Sequence, residues 1–204
     1  MNQQNRWNEK FSKEGFMYGL QPNAFIKDKL SLIPPKGSVL CLAEGEGRNA
    51  IYLAQLGFAV EALDASDVGL HKLMQRAEQE SLNIETTLAD LENWQPNKQY
   101  DAVIASFMHL PEPLRTKSFK KAVEALKVGS YMIMEFFSQD QMRQGFPSGG
   151  PKDLSLLYDP QELRNCFDEK EVEIIQLSQE EDILDEGWGH QGAASLVRLI
   201  LQKR

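Results

Sequence analysis

The chain has 204 residues, 42% hydrophobic and 25% charged, enough for one globular domain with a sizeable core and short for two. Thirty Asp and Glu against 22 Lys and Arg give a formal net charge of −8. That argues against nucleic acid and anionic membrane surfaces, both of which call for a basic footprint. Two cysteines cannot build a disulfide framework, and no apolar run resembles a leader or a membrane span, so the expectation is a cytoplasmic protein.

Residues 1–22 are rich in aromatics: Trp7, Phe11, Phe16 and Tyr18 either staple this segment to the core or close over a ligand. The pattern then predicts an amphipathic helix over 23–33 with Phe25, Ile26, Leu30 and Ile33 inward, stopped by Pro34 and Pro35. An apolar strand, Val39 to Leu42, runs into a glycine-paired turn at Gly45 and Gly47 and then a helix. A second strand over 58–63 ends at Asp64. Ser66 caps a helix reaching Glu80, with Leu70, Leu73, Met74 and Ala77 inward. A third strand over 83–89 ends at Asp90.

The fourth strand, Tyr100–Ser106, is apolar enough to be covered on both faces. A helix over 113–127 with Gly129 as its stop leads to a fifth strand over 131–137. Residues 138–158 read as a long irregular segment, after which Asp159-Pro160 opens a helix. Strands over 171–177 and 194–201 close the chain, separated by a glycine-rich loop over 178–192. This alternation predicts one α/β domain over 1–204, a Rossmann-like doubly wound sheet with helices on both faces. Both cysteines, Cys41 and Cys166, read as core thiols.

In such a sheet a ligand lies in the crevice at the carboxyl ends of the strands. Those ends carry Ala43, Glu44, Gly45, Asp64, Ala65, Asp90, Leu91 and Ser106. Gly45-x-Gly47-x-x-Ala50 with Asp64 downstream also fits a dinucleotide fingerprint. Glu44 and Glu46, however, flank the turn that would cradle an anionic pyrophosphate, each repelling it by on the order of 1 kcal/mol. S-adenosyl-L-methionine has no phosphate and carries a sulfonium and an ammonium, so acids beside the turn suit it.

With those residues in place the chain resembles the class I S-adenosylmethionine-dependent methyltransferases, and within them the tellurite-resistance/thiopurine methyltransferase-like group. The resemblance covers Trp7 to Gly19, the Gly45-Glu46-Gly47-Arg48-Asn49-Ala50 block, Asp64, Ala89-Asp90-Leu91, Tyr100-Asp101 and the late antiparallel pair. It implies a seven-stranded sheet with an antiparallel last strand. It further implies that Ala43, Gly45 and Gly47 meet the methionine portion, Asp64 the ribose, and Asp90 and Leu91 the adenine. Ser106 borders the methionine moiety, and Tyr18-Gly19 is the lid. One position departs from the pattern: Cys41 stands where class I enzymes usually carry an acid.

Methyl transfer from a sulfonium is an in-line displacement governed by positioning, with a base needed only for a protonated acceptor. His109, after the fourth strand, and His190, beside Trp188 in the 187–192 turn, are the candidate bases. His71 reads as solvent-facing. Three histidines without paired spacing argue against a metal site. Residues 138–158 and 178–192 are candidate acceptor-site loops, and the expected partner is a small-molecule acceptor. The rival readings are an NAD(P)-dependent oxidoreductase and a catalytically silent S-adenosylmethionine-binding module. Neither the acceptor nor the oligomeric state is legible.

Overall fold

Alternating apolar strands and amphipathic helices assemble into a seven-stranded sheet in the computed structural model, which describes residues 3–204. The strands are β1 (Ser38–Leu42), β2 (Ala59–Asp64), β3 (Ile84–Leu88), β4 (Tyr100–Ser106), β5 (Leu126–Phe137), β6 (Val172–Glu186) and β7 (His190–Lys203). Their order is β3-β2-β1-β4-β5-β7-β6. The first five pair in parallel, and β7 is antiparallel to both β5 and β6. The helices are α1 (Gln3–Phe11), α2 (Ala24–Asp28), α3 (Arg48–Gln55), α4 (Asp67–Gln79), α5 (Leu114–Glu124), α6 (Asp140–Arg143) and α7 (Pro160–Arg164).

The central strands are buried on both faces because successive side chains alternate sides. Leu40, Leu42 and Val103 enter a core with Phe119, Phe136 and Tyr158. Val39, Cys41 and Ile104 enter the opposite one with Leu53, Leu70 and Leu73. Strand order reverses between β1 and β4, which opens the crevice where their carboxyl ends diverge.

Several boundaries differ from the sequence expectation. The 23–33 helix is broken into α2 and a 3-10 turn, Leu30–Leu32. Asn23 caps α2 through Ile26 N–H, and Pro34 pulls the preceding Ile33 into extended backbone. Met74 points to solvent, 53% exposed, while Leu70, Leu73 and Ala77 are buried as expected. Gly129 does not stop a helix: α5 ends at Glu124 and β5 begins at Leu126, with Gly129 inside it at φ +80. The pairing of β5 with β4 shifts register between Tyr100 and Ala102.

The largest difference is at 178–192, which is not a loop. β6 and β7 pair without a gap from Asp182↔Ala194 to Glu186↔His190, leaving only Gly187, Trp188 and Gly189 as the turn. The outer strand β6 is mostly polar here, so it shows no apolar alternation to read. Arg198 on β7 instead ties it down, donating to Glu180, Asp182 and the buried Glu135. Residues 138–158 likewise hold α6 and a 3-10 turn, Leu154–Leu156, and pin Ser138 to Tyr158 by an isolated bridge.

Candidate functional site

The turn after β1 takes left-handed backbone at every second residue: Ala43 at φ +51, Gly45 at +61 and Gly47 at +88. A side chain at 47 would put its Cβ 2.3 Å from Leu73 Cγ, so glycine is demanded by α4 packing against the turn. Asp64 braces the turn, its Oδ2 accepting from Gly45 N–H at 2.8 Å and its Oδ1 from Ser66 N–H at 2.7 Å. Burial pushes the Asp64 carboxyl up to about 6 even against those backbone bonds.

Both turn glutamates are buried and engaged. Glu44 accepts from Ala50 N–H at 2.7 Å, inside the first turn of α3, and burial raises it to about 7. Glu46 pairs with Lys72 at 2.7 Å and accepts from Met17 N–H at 2.7 Å, tying the N-terminal segment to α4. The charge that separated the two nucleotide readings is thus partly spent on the fold. Cys41 is fully buried in the core, and Glu44 and Glu46 both stand at the cleft wall.

A cleft opens over this turn. Every strand-end residue singled out above lines it: Ala43, Gly45, Gly47, Asp64, Ala65, Asp90, Leu91 and Ser106. Tyr18 and Gly19 also line it. Asn49 donates to Ser106 Oγ at 3.1 Å, and its own Oδ1 accepts from Asn23 N–H, so α3 and β4 are clamped across the crevice. Leu91, Met108, Leu110 and Leu114 give one end an apolar surface beside Asp90, a combination suited to a purine ring and its exocyclic amine. Asp64 keeps lone pairs beyond its two backbone bonds and can accept from ribose hydroxyls. The residues present therefore fit S-adenosylmethionine.

A second cavity adjoins the first and shares Trp7, Tyr18, Phe107, His109 and His190 with it. Its remaining wall includes Arg6, Lys10 and Lys152, and among the described residues no carboxylate lines it. Met17, Gly149 to Pro151 and Gly189 complete much of the rest. Residues 1 and 2 of the expected lid lie outside the described residues. The N-terminal segment packs on the β6–β7 turn backbone to backbone: Gly189 N–H donates to Met17 O at 2.9 Å, and a Cβ at Gly187 would lie 2.3 Å from Gly19 N.

The two histidines differ in what they have to spare. His109 lies against Leu156 O through Nδ1 at 2.9 Å, and Nε2 accepts from Phe137 N–H at 3.5 Å. Burial drives it down to about 3. His190 is buried at the start of β7, not on a surface turn, with its ring against Tyr18 at 4.4 Å and Phe107 at 4.2 Å. Its Nδ1 has no partner within hydrogen-bond distance among the described residues. Trp188, expected beside it, is 52% exposed and lines neither cavity.

Sequence reasoning reached Phe107 only as part of the strand end after Ser106, with no role of its own, and missed Arg6, Lys10 and Glu186. Phe107, at φ +56, directly follows the β4 end, and an aromatic there is a signal of sorts. Glu186 had none, for its partners Arg48 and Asn23 lie 138 and 163 residues away in sequence. Among the described residues no cluster of three or more His, Cys, Asp or Glu could hold a metal ion.

Residues 39–129 match the family described as "Methyltransferase domain". The probable S-adenosyl-L-methionine-dependent methyltransferase TehB of Haemophilus influenzae (strain 10810) is 29% identical over 172 residues, covering 83% of this chain and 56% of its own length. The chain spans about half the length of the curated relatives it matches. The crystal structure of TehB from Haemophilus influenzae superposes with a TM-score of 0.71 at 24% identity, over 98% of this chain and 67% of that one. An S-adenosylmethionine-dependent methyltransferase from Clostridium acetobutylicum ATCC 824 gives 0.69 at 14% identity, over 98% and 99%. These structural likenesses bear on the fold. The chain is thus similar over residues 39–129 to methyltransferase domains and, at 29% identity, to TehB, and it shares the fold of S-adenosylmethionine-dependent methyltransferases.

Proposed function

We propose that the chain moves a methyl group from S-adenosylmethionine in the first cavity to a small-molecule acceptor in the second. The observation that carries this reading is the junction of the two cavities at Tyr18, Phe107, His109 and His190. When bound, the cofactor supplies an electrophilic methyl carbon with a sulfide leaving group. The chain supplies position. Backbone at Ala43, Gly45 and Gly47 holds the methionine portion beside Ser106, Asp64 with Ala65 holds the ribose, and Asp90 with Leu91 holds the adenine. Tyr18 closes over the junction and excludes water.

His190 accepts the proton of an acceptor that arrives protonated. His109, with both ring nitrogens against backbone, shapes the wall. Arg6, Lys10 and Lys152 around a carboxylate-free cavity suit an acceptor that bears an anionic group on an apolar body.

Two measurements test the reading. Calorimetry should give micromolar binding of S-adenosylhomocysteine and no heat with NAD; the reverse result overturns it. A methyl-transfer screen of paired neutral and carboxylate-bearing thiols should favour the carboxylates. Lys10→Met should then raise KM for them about 5-fold, the scale of one partly exposed charge pair.

A further inference from the structure

His190 Nδ1 is buried and unpartnered, a costly state for an imidazole nitrogen unless a polar group stands ready for it. The group that stands nearest is Glu186 Oε2, 3.6 Å away. Glu186 is itself buried and held from two sides. Arg48 Nη2 donates to its Oε2 at 2.8 Å, and Asn23 Nδ2 donates to its Oε1 at 3.0 Å. A carboxylate has about four acceptor sites, so these bonds leave room for a third donor.

Backbone fixes the spacing. Glu186 and His190 are directly paired residues at the mouth of the β6–β7 hairpin. The turn between them is locked against the N-terminal segment by the close approach of Gly187 to Gly19. Tyr18 and Phe107 hold the ring against rotation.

The geometry assigns Glu186 as the positioning residue for His190: it accepts from Nδ1–H and so leaves Nε2, on the opposite edge of the ring, as the proton acceptor toward the cavities. This rests on the reading of His190 as the base. Arg48 extends the chain of contacts to the cofactor cleft, which it lines from the first residue of α3. The other groups facing His190 are Lys10 of α1, Tyr18 of the N-terminal segment and His109 beyond β4. Burial, Arg48 and Lys10 hold the imidazolium down, and Glu186 supports it. Removing the Glu186 charge must therefore lower the His190 titration midpoint.

The test uses the full chain labelled with 15N-histidine, in which His71, His109 and His190 are the three signals, assigned with His190→Gln. Long-range 1H–15N correlation should show neutral His190 as the Nδ1–H tautomer in the unsubstituted protein. Glu186→Gln, which keeps an oxygen for Arg48 or Asn23, should lower its midpoint by about one pH unit. It should cut kcat by about 10-fold or more with KM for S-adenosylmethionine within 2-fold, and the acid limb of the kcat profile should move down with the midpoint. An Nε2–H tautomer in the unsubstituted chain overturns the assignment, whether or not the variant folds. So does a midpoint unmoved by Glu186→Gln. A dyad seen by NMR with no turnover on any acceptor would instead sink the methyl-transfer reading and leave the positioning intact.

Discussion

The two halves of the junction are made in opposite ways. The proposed cofactor half comes chiefly from the ends of β1, β2, β4 and the turn after β3, contributed in chain order between Ala43 and Leu114, with Trp7, Phe11, Tyr18, Gly19 and His190 laid over it. Each strand-end side chain there is aimed by a strand whose register is fixed by parallel neighbours. The proposed acceptor half meets it at Phe107 and His109 and is otherwise gathered mostly from α1, the 149–152 stretch and the β6–β7 turn, held by backbone contacts such as Gly189 to Met17. Cofactor geometry is thus a property of the core, and acceptor geometry a property of segments laid over it. The first resists change and the second can be altered without unfolding the sheet.

The largest effect expected from that contrast lies at two glycines with positive φ. Gly47→Ala forces left-handed backbone on a residue with a Cβ, about 1–2 kcal/mol. It also drives that Cβ to 2.3 Å from Leu73, a fully buried side chain, adding about 1–3 kcal/mol of overpacking. At about 2–4 °C per kcal/mol for a chain of this size, Tm should fall by about 10 °C. Gly149→Ala has similar backbone strain at φ +105 and a Cβ 2.6 Å from Gly189 O. Its collision is between two surface stretches that can part, so acceptor KM should rise while Tm moves by less than half as much. Equal Tm losses by differential scanning fluorimetry would break the contrast.

The same contrast explains what the sequence could and could not reveal. Tyr100–Ser106, the Ser66 cap and the Asp159-Pro160 start were readable because each is set by local periodicity or by a neighbour two or three residues away. The strand-end acids were readable because sheet topology places successive ends together. The hairpin over 178–192 was not: its stability comes from Arg198 reaching across to Glu180 and Asp182, and a polar outer strand leaves no alternation. Arg6 and Lys10 reach the cavity through α1 docking on α4, and Glu186 gains Arg48 and Asn23 only when the β6–β7 hairpin meets segments 138 and 163 residues earlier. No local pattern encodes such docking.

An intermediate effect is expected where the fold and the site compete for one carboxylate. Asp64 is raised to about 6 from a model-compound value of 3.8, and Glu44 to about 7 from 4.5, both chiefly by burial. Their folded values exceed the unfolded ones, so the folded state binds more protons. Stability from this pair is fully present below about pH 4 and is lost as pH rises through 6 to 7. Ribose hydroxyls donate best to the ionised form, so S-adenosylhomocysteine affinity should rise over that window. Asp64→Asn should weaken binding about 10- to 150-fold at pH 7.5, the loss of charge-assisted bonds of roughly 1.5–3 kcal/mol. It should also flatten the pH dependence of affinity. Calorimetry at pH 5 and 7.5 checks both, and a variant that keeps the full slope would assign it to Glu44.

The smallest effect should fall on Trp188, the most conspicuous side chain of the β6–β7 turn in the sequence. Its ring is half exposed, lies under Lys13 in a cation–π contact at 5.2 Å, and lines neither cavity. The turn is held instead by backbone: Gly189 N–H on Met17 O, and Gly187 against Gly19. An exposed cation–π pair contributes about 0.5–1 kcal/mol. Trp188→Ala should therefore lower Tm by only a few degrees and leave KM for both substrates within about 2-fold, which steady-state kinetics beside a thermal melt would show. A large rise in acceptor KM would mean that the indole swings inward when the acceptor binds. The acceptor half would then owe its shape to a side chain, and not to the glycine backbone that carries it here.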